Sequence, residues 1–337
     1  MEPLKIAVIG VGHLGKEHAR VLKSLENAYL AAIVDTNPEQ GRIIQEKVEV
    51  PLYLDYKELP KDIQAVSIAT PTIYHFEIAK YFLERDVHVM IEKPMTTNAQ
   101  EARELVEIAQ KRNLKIQVGH IERFNPALQG LLKYIENPRF IQAHRLSPYS
   151  FRSTDVSVIH DLMIHDIDIV LELAKSEVEE VEALGLPVLS SQEDLANVRL
   201  KFANGCIADI TANRVGLKKM RQIRLFQKNA YLTLDYMTKR GRIFQLSPDF
   251  HPSKIKDISP PTNMEEINAL VFGEFILMEE LAWEGEEPLK AELQSFVEAI
   301  LQDKEPKVPG QAGLRAIEIV EAIFESIQKN LWRKDIS

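Results

Sequence analysis

Apolar positions along this chain follow two rhythms in turn. From Lys5 to Asp35 the order is an apolar run, a glycine-containing turn, a stretch with apolar residues at helical spacing, and a second apolar run closing on Asp35. Short apolar runs read as buried strands, and apolar residues three and four apart read as one face of a helix. The alternation continues. Gln64–Thr70 (QAVSIAT) is a strand, Phe76, Ala79, Phe82 and Leu83 mark the apolar side of a helix, and Val87–Ile91 is the next strand. Ala102, Leu105, Val106 and Ala109 stripe another helix, and Lys115–Val118 supplies a further strand. Strands alternating with helices predict an α/β domain, a doubly wound parallel sheet covered on both faces.

The character changes near residue 125. Asp155–Glu172 is rich in Val, Ile, Leu and Met and is predicted as one helix, with Asp161, His165, Asp168 and Glu172 on a single polar stripe that faces a cleft or solvent. His160 and Asp166 lie off that stripe. Strands with period two follow: Val198, Leu200 and Phe202, then Cys206, Ala208, Ile210 and Ala212, then Gln222–Gln227, Ala230–Asp235 and Gly241–Leu246. Without long helices between them they predict an α+β domain with a large, mostly antiparallel open sheet, one face under the Asp155–Glu172 helix and the other open to a second subunit. Asp249–Gly285 is proline-rich and acidic and carries no clear rhythm. Leu289, Leu293, Phe296, Val297 and Ile300 stripe one closing helix, and Ile317, Val320, Phe324, Ile327 and Leu331 the next. The expected domains are 1–122, 123–310, and a C-terminal helix in 311–337.

Composition narrows the partners. The 337 residues carry 41 Lys and Arg against 50 Asp and Glu, a formal charge of -9, which argues against nucleic acid and anionic membrane as partners. The one cysteine, Cys206, cannot form an internal disulfide or a cysteine metal cage. No apolar run reaches the roughly 18 residues that span a bilayer. The expectation is a soluble, cytoplasmic protein.

The glycine turn brings chemistry. Gly10, Gly12 and Gly15 form G-x-G-x-x-G between a strand and a helix, and Asp35 ends the next strand twenty residues beyond Gly15. In that context the glycines allow a tight turn, close approach of a pyrophosphate, and close packing of helix on strand. The carboxylate suits two ribose hydroxyls and repels a 2'-phosphate, which points to NAD rather than NADP. Two later strand ends lie where such sheets bind ligands: ATPTIYH, residues 69–75, and Glu92-Lys93-Pro94. The expected cofactor contacts are Gly10, Gly12, His13, Leu14, Gly15, Asp35, Thr36, Ala69, Thr70, Pro71, His75, Glu92 and Lys93.

A Rossmann motif, a strand ending in E-K-P and a later D-x-x-x-H (Asp161, His165) before an antiparallel sheet together resemble the glucose-fructose oxidoreductase / inositol dehydrogenase family. The resemblance implies hydride transfer from a secondary hydroxyl to NAD; hydride transfer needs no metal, and the open face of the C-terminal sheet predicts a homodimer or homotetramer. The resemblance also brings Lys93 and His165 together on the reacting oxygen: Lys93 stabilises the developing alkoxide, and either of the two takes the proton. Asp161 orients the imidazole or binds a neighbouring sugar hydroxyl. Val118–Ala127 (VGHIERFNPA) and Ser157–Val170 look most like the members that oxidise the 3-hydroxyl of UDP-N-acetylglucosamine. For such a nucleotide sugar, Arg123, Asn125, Arg145 and Arg152 are candidates to meet the diphosphate and Tyr149 to pack on a base or sugar. Ser157–His160 stand where many members carry glycines, so the substrate does not follow from the sugar and inositol enzymes. The alternatives are a free sugar or cyclitol dehydrogenase, and an NAD-sensing protein without turnover. Asp161 and His165 also have a spacing open to metal ligation.

Overall fold

The structure, a computed structural model, describes residues 2–150, 156–251, 253 and 263–329. Arg152, Asp155 and Leu331, each named above, lie outside the described residues. The described residues form two compact units, one taking the chain through Phe124 together with Glu286–Phe324, the other taking those of Asn125–Gly285 together with Glu325–Lys329.

In the first unit, β1 (Leu4–Ile9), α1 (Gly15–Ser24), β2 (Ala28–Val34), α2 (Pro38–Val48), β3 (Leu52–Tyr53), β4 (Ala65–Ile68), α3 (His75–Leu83), β5 (His88–Glu92), α4 (Ala99–Arg112) and β6 (Ile116–Gly119) follow in order. The six strands are parallel in the order β3-β2-β1-β4-β5-β6. Successive strand residues point to opposite faces, so Leu4, Ile6 and Val8 of β1 enter one core and Ala7 and Ile9 the other. Both faces are buried, as the near-continuous apolar runs required. The order reverses direction between β1 and β4, the place where a sheet of this type opens a crevice at its carboxyl ends.

The second unit opens with α5 (Pro126–Leu131) and β7 (Phe140–Leu146). The predicted Asp155–Glu172 helix is two pieces: a π-helical turn over Ile159–Met163, then α6 (Ile164–Ala174). Seven strands follow: β8 (Val178–Leu186), β9 (Leu195–Phe202), β10 (Ile207–Asn213), β11 (Met220–Gln227), β12 (Ala230–Asp235), β13 (Arg240–Leu246) and, after α7 (Met264–Leu270), β14 (Ile276–Ala282). The sheet order is β14-β13-β12-β11-β7-β10-β9-β8, antiparallel except where β7 runs parallel to β10. Its inner face carries Ile141, Ala143, Val198, Leu200, Ile210, Ile223, Leu225, Leu232 and Ile243, all buried. Helix α6 packs on that side against β7 and β10, and α5 against β12 and β13.

On the other face, Phe140, Phe226, Tyr231 and Phe244 sit opposite one another on four neighbouring strands. Their ring centroids are 5.5, 4.6 and 5.4 Å apart in turn.

The chain then returns through α8 (Pro288–Leu301) and α9 (Gly310–Lys329). The sequence pattern alone places 123–310 in the second domain and 311–337 in a closing helix. By contact, Glu286–Phe324 groups with the first unit, because Leu293, Phe296 and Val297 fill the core beside Leu4, Ile6 and Val8, and Leu314 and Ile317 fill the opposite one.

Candidate functional site

The turn between β1 and α1 is built by exclusion. Gly10 has φ +81°, and a Cβ there would come within 2.9 Å of the Ala69 carbonyl oxygen and Thr70 Cγ2. A Cβ on Gly15 would lie 1.7 Å from the Gly10 carbonyl oxygen. Both glycines are therefore structural necessities. Gly12 differs: a Cβ there meets nothing within 4 Å, so its missing side chain leaves open space beside the start of α1. No side chain caps α1, and a helix start with an open approach is an anion site.

Asp35, at the end of β2, is fixed in place. Its Oδ2 accepts from Val11 N at 2.9 Å and its Oδ1 from Asn37 N at 2.8 Å, while Gln40 Nε2 donates to the Val11 carbonyl at 2.8 Å. The carboxylate is half-buried and keeps acceptor capacity beyond these two bonds. His13, Leu14 and Thr36 are exposed around this turn. Anion cradle, open approach and anchored acid together fit a dinucleotide.

Ala69, Thr70 and Pro71 follow β4 and Lys93 and Pro94 follow β5, the adjacent strand. His75, expected to contact the cofactor, is instead 1% exposed. Its Nε2 lies 2.8 Å from the Thr70 carbonyl oxygen and its Nδ1 2.9 Å from that of Pro94, so the ring ties the two strand-end loops together. Burial pushes its pKa down against the pull of the two carbonyls.

Glu92 is buried behind Lys93. Its Oε1 is 3.0 Å from His18 Nε2, and His18 Nδ1 is 2.8 Å from Ser67 Oγ. Burial works against ionisation of Glu92, yet the neighbouring His18 imidazole and the charge and backbone N–H of Lys93 hold the carboxyl below its ordinary range. Lys93 itself is half-buried. His18 and Ser67 were not among the expected site residues. In sequence, His18 is one polar residue on an amphipathic helix, and its partner is far away along the chain.

In the second unit, Asp161 lies in the π turn and His165 in the first turn of α6, both half-buried. An inserted π turn frequently marks a functional segment. It also changes the rotation between Asp161 and the three residues of the expected polar stripe that share α6; along those three, depth varies, with His165 half-buried, Asp168 1% exposed and Glu172 on the surface. Asp166, expected off the stripe, is buried against Arg145, with Nε to Oδ2 at 2.7 Å and Nη2 to Oδ1 at 3.1 Å. Arg145 is thus committed to an ion pair and is withdrawn as a diphosphate ligand.

A second pair supports the segment from its start. Arg214 Nε donates to Asp194 Oδ1 at 2.6 Å and Arg214 Nη1 to the Val156 carbonyl at 2.7 Å, while Val158 N donates to the Glu193 carbonyl at 2.9 Å. Burial disfavours the Asp194 carboxylate, but the Arg214 guanidinium and the N–H groups of Leu189, Val188 and Ser190 hold it far below the usual range.

Of the other expected substrate contacts, Asn125 is buried and caps α5, accepting from Ala127 N at 3.0 Å. Arg123 is 7% exposed and Tyr149 half-buried. Among the described residues, no group of three or more His, Cys, Asp or Glu side chains is placed to share a metal ion.

Comparison with known proteins decides the family. Residues 4–120 match the oxidoreductase family model with an NAD-binding Rossmann fold, and residues 136–231 match the GFO/IDH/MocA C-terminal domain. The chain belongs to the GFO/IDH/MocA oxidoreductases. It is a dehydrogenase acting on a CH–OH group and binds a nicotinamide dinucleotide. It is 30% identical over 331 residues to the UDP-N-acetylglucosamine 3-dehydrogenase of Acidithiobacillus ferrooxidans, covering 98% of this chain and 99% of that one. The solved structure of UDP-N-acetylglucosamine 3-dehydrogenase GnnA from that organism superposes with a TM-score of 0.85 over 97% of this chain and 99% of that one. The myo-inositol 2-dehydrogenase of Thermotoga maritima is 30% identical over 230 residues, 63% of this chain and 69% of that one. Among the described residues no helix is long and apolar enough to cross a membrane.

Proposed function

We propose that this enzyme oxidises the 3-hydroxyl of UDP-N-acetylglucosamine with NAD. The observation that carries the reading is the similarity to the UDP-N-acetylglucosamine 3-dehydrogenase, which extends over nearly the whole of both chains, whereas the inositol enzyme matches over 63% of this one. The anchored carboxylate of Asp35 supports NAD over NADP, since a 2'-phosphate there meets a like charge.

Oxidation of an alcohol requires loss of its proton as hydride leaves carbon; the bound dinucleotide supplies the hydride acceptor. Lys93 is assigned to the reacting oxygen, where its fixed positive charge stabilises the alkoxide. His165 is assigned as the base, because an imidazole titrates near neutral pH. Asp161, one turn earlier, orients that ring or holds a neighbouring hydroxyl. Arg123, Tyr149 and Arg152 are the candidates to meet the diphosphate and uridine, Arg suiting bidentate phosphate contact. The outer face of the second sheet, with its aromatic row, is assigned to a second copy of the chain. Phe226→Glu is expected to lower the molar mass measured by light scattering, and an unchanged mass contradicts that assignment. One buried cysteine, Cys206, suits a reducing cytoplasm.

The substrate is tested by incubating the protein with NAD and UDP-N-acetylglucosamine, adding 2-oxoglutarate to reoxidise any retained NADH. A product lighter by the mass of two hydrogens is expected. Its appearance with free sugars or inositol and not with the nucleotide sugar transfers the assignment to the inositol-type reaction.

A further inference from the structure

Strand order assigns the two halves of the dinucleotide to opposite sides of the glycine turn. Asp35 ends β2 on one side of β1, while β4 and β5 lie on the other, with Glu92 at the end of β5. An adenosine ribose held by Asp35 leaves the nicotinamide to the β4–β5 side.

On that side each oxygen of the Glu92 carboxylate has a polar neighbour. Oε1 is 3.0 Å from His18 Nε2, Oε2 accepts from Lys93 N at 3.2 Å, and the His18 ring is fixed in turn by Ser67 Oγ at 2.8 Å. The carboxyl lies over Gly119, where a Cβ would come within 2.9 Å of Glu92 Cδ. His18 belongs to the helix that starts at the glycine turn, so the carboxylate is tied to the element that receives the pyrophosphate. Ser67 is wholly buried, His18 is 1% exposed and Glu92 8%. Charges in such surroundings are screened far less than surface charges.

The oxidised nicotinamide ring is a cation and the reduced ring is neutral, so a fixed anion nearby interacts with one and hardly with the other. Resting on the dinucleotide reading above, we propose that Glu92, positioned by His18, biases the bound cofactor toward its oxidised form. This differential interaction sets the redox poise of the bound cofactor, separately from the groups that act on the alcohol. Replacing Glu92 by Gln preserves shape and removes the anion, which acts against a cationic ring.

The test is calorimetric titration of the full-length protein with NAD+, NADH and ADP-ribose, which lacks the nicotinamide. Glu92→Gln is expected to weaken NAD+ relative to NADH by about tenfold, equivalent to raising the potential of the bound couple by about 30 mV. ADP-ribose is expected to bind Glu92→Gln as it binds the unaltered protein, which also reports that the variant is folded. His18→Gln, freeing the carboxylate without removing it, is expected to shift the ratio in the same direction by less. An unchanged NAD+ to NADH ratio overturns the proposal. So does parallel loss of all three ligands in Glu92→Gln, which makes Glu92 a structural support. Failure of the unaltered protein to bind ADP-ribose overturns the dinucleotide reading itself, and this proposal with it.

Discussion

Arg145 and Asp166 form a two-bond ion pair at 2.7 and 3.1 Å, with only 3% and 2% of their side chains exposed. The pair joins β7 to α6 one residue beyond His165. Removing one member leaves an uncompensated buried charge, so Arg145→Met is expected to lower unfolding free energy by about 3–5 kcal/mol. The double variant Arg145→Met with Asp166→Leu should recover most of that. Urea denaturation measures both, and a single variant within about 1 kcal/mol of the parent contradicts the structural role.

Gly12 and Gly15 separate fold from ligand. Gly15→Ala drives a methyl group into the Gly10 carbonyl and is expected to reduce stability by several kcal/mol, of order 3 or more. Gly12→Ala meets no protein atom, so its melting temperature should stay within a few degrees of the parent's while NAD affinity falls about tenfold or more. Thermal melts and NAD titration on the same preparations check this. Unchanged NAD affinity in Gly12→Ala contradicts the pyrophosphate assignment.

Asp35 is expected to set cofactor choice. Asp35→Ser removes the like charge facing a 2'-phosphate while retaining an acceptor, and should shift the NAD to NADP affinity ratio toward NADP by about tenfold or more. Titration of both cofactors measures the ratio. If the parent already binds NADP as well as NAD, the assignment to NAD is wrong.

Much of the fold was legible because burial leaves a rhythm. β1, β4, β5 and β6 are short apolar runs, and the inner residues of β9 to β13 alternate. β7 escaped because its third inward residue is Arg145, apolar only in the sense that Asp166 neutralises it, and that partner lies 21 positions away. β14 escaped for another reason: as an edge strand it is largely exposed and has no inner stripe. The i→i+5 turn at Ile159–Met163 leaves no mark in the sequence that distinguishes it from an α-helix, so α-helical spacing misplaces Asp161 relative to His165, Asp168 and Glu172, which share α6.

The site followed the same division. Glycine and aspartate positions were readable because backbone geometry demands them. His18 and His75 acquire their roles only from partners brought by folding: Glu92 and Ser67 for one, two loop carbonyls for the other.

The most direct test of the account is single-turnover absorbance in the NADH band after mixing the protein with NAD and UDP-N-acetylglucosamine, with Lys93→Met run alongside. The account predicts NADH formation in the unaltered protein, and a rate at least about a hundredfold lower in Lys93→Met although NAD still binds. NAD binding with no NADH formed from the nucleotide sugar, or equal rates in the two proteins, contradicts it.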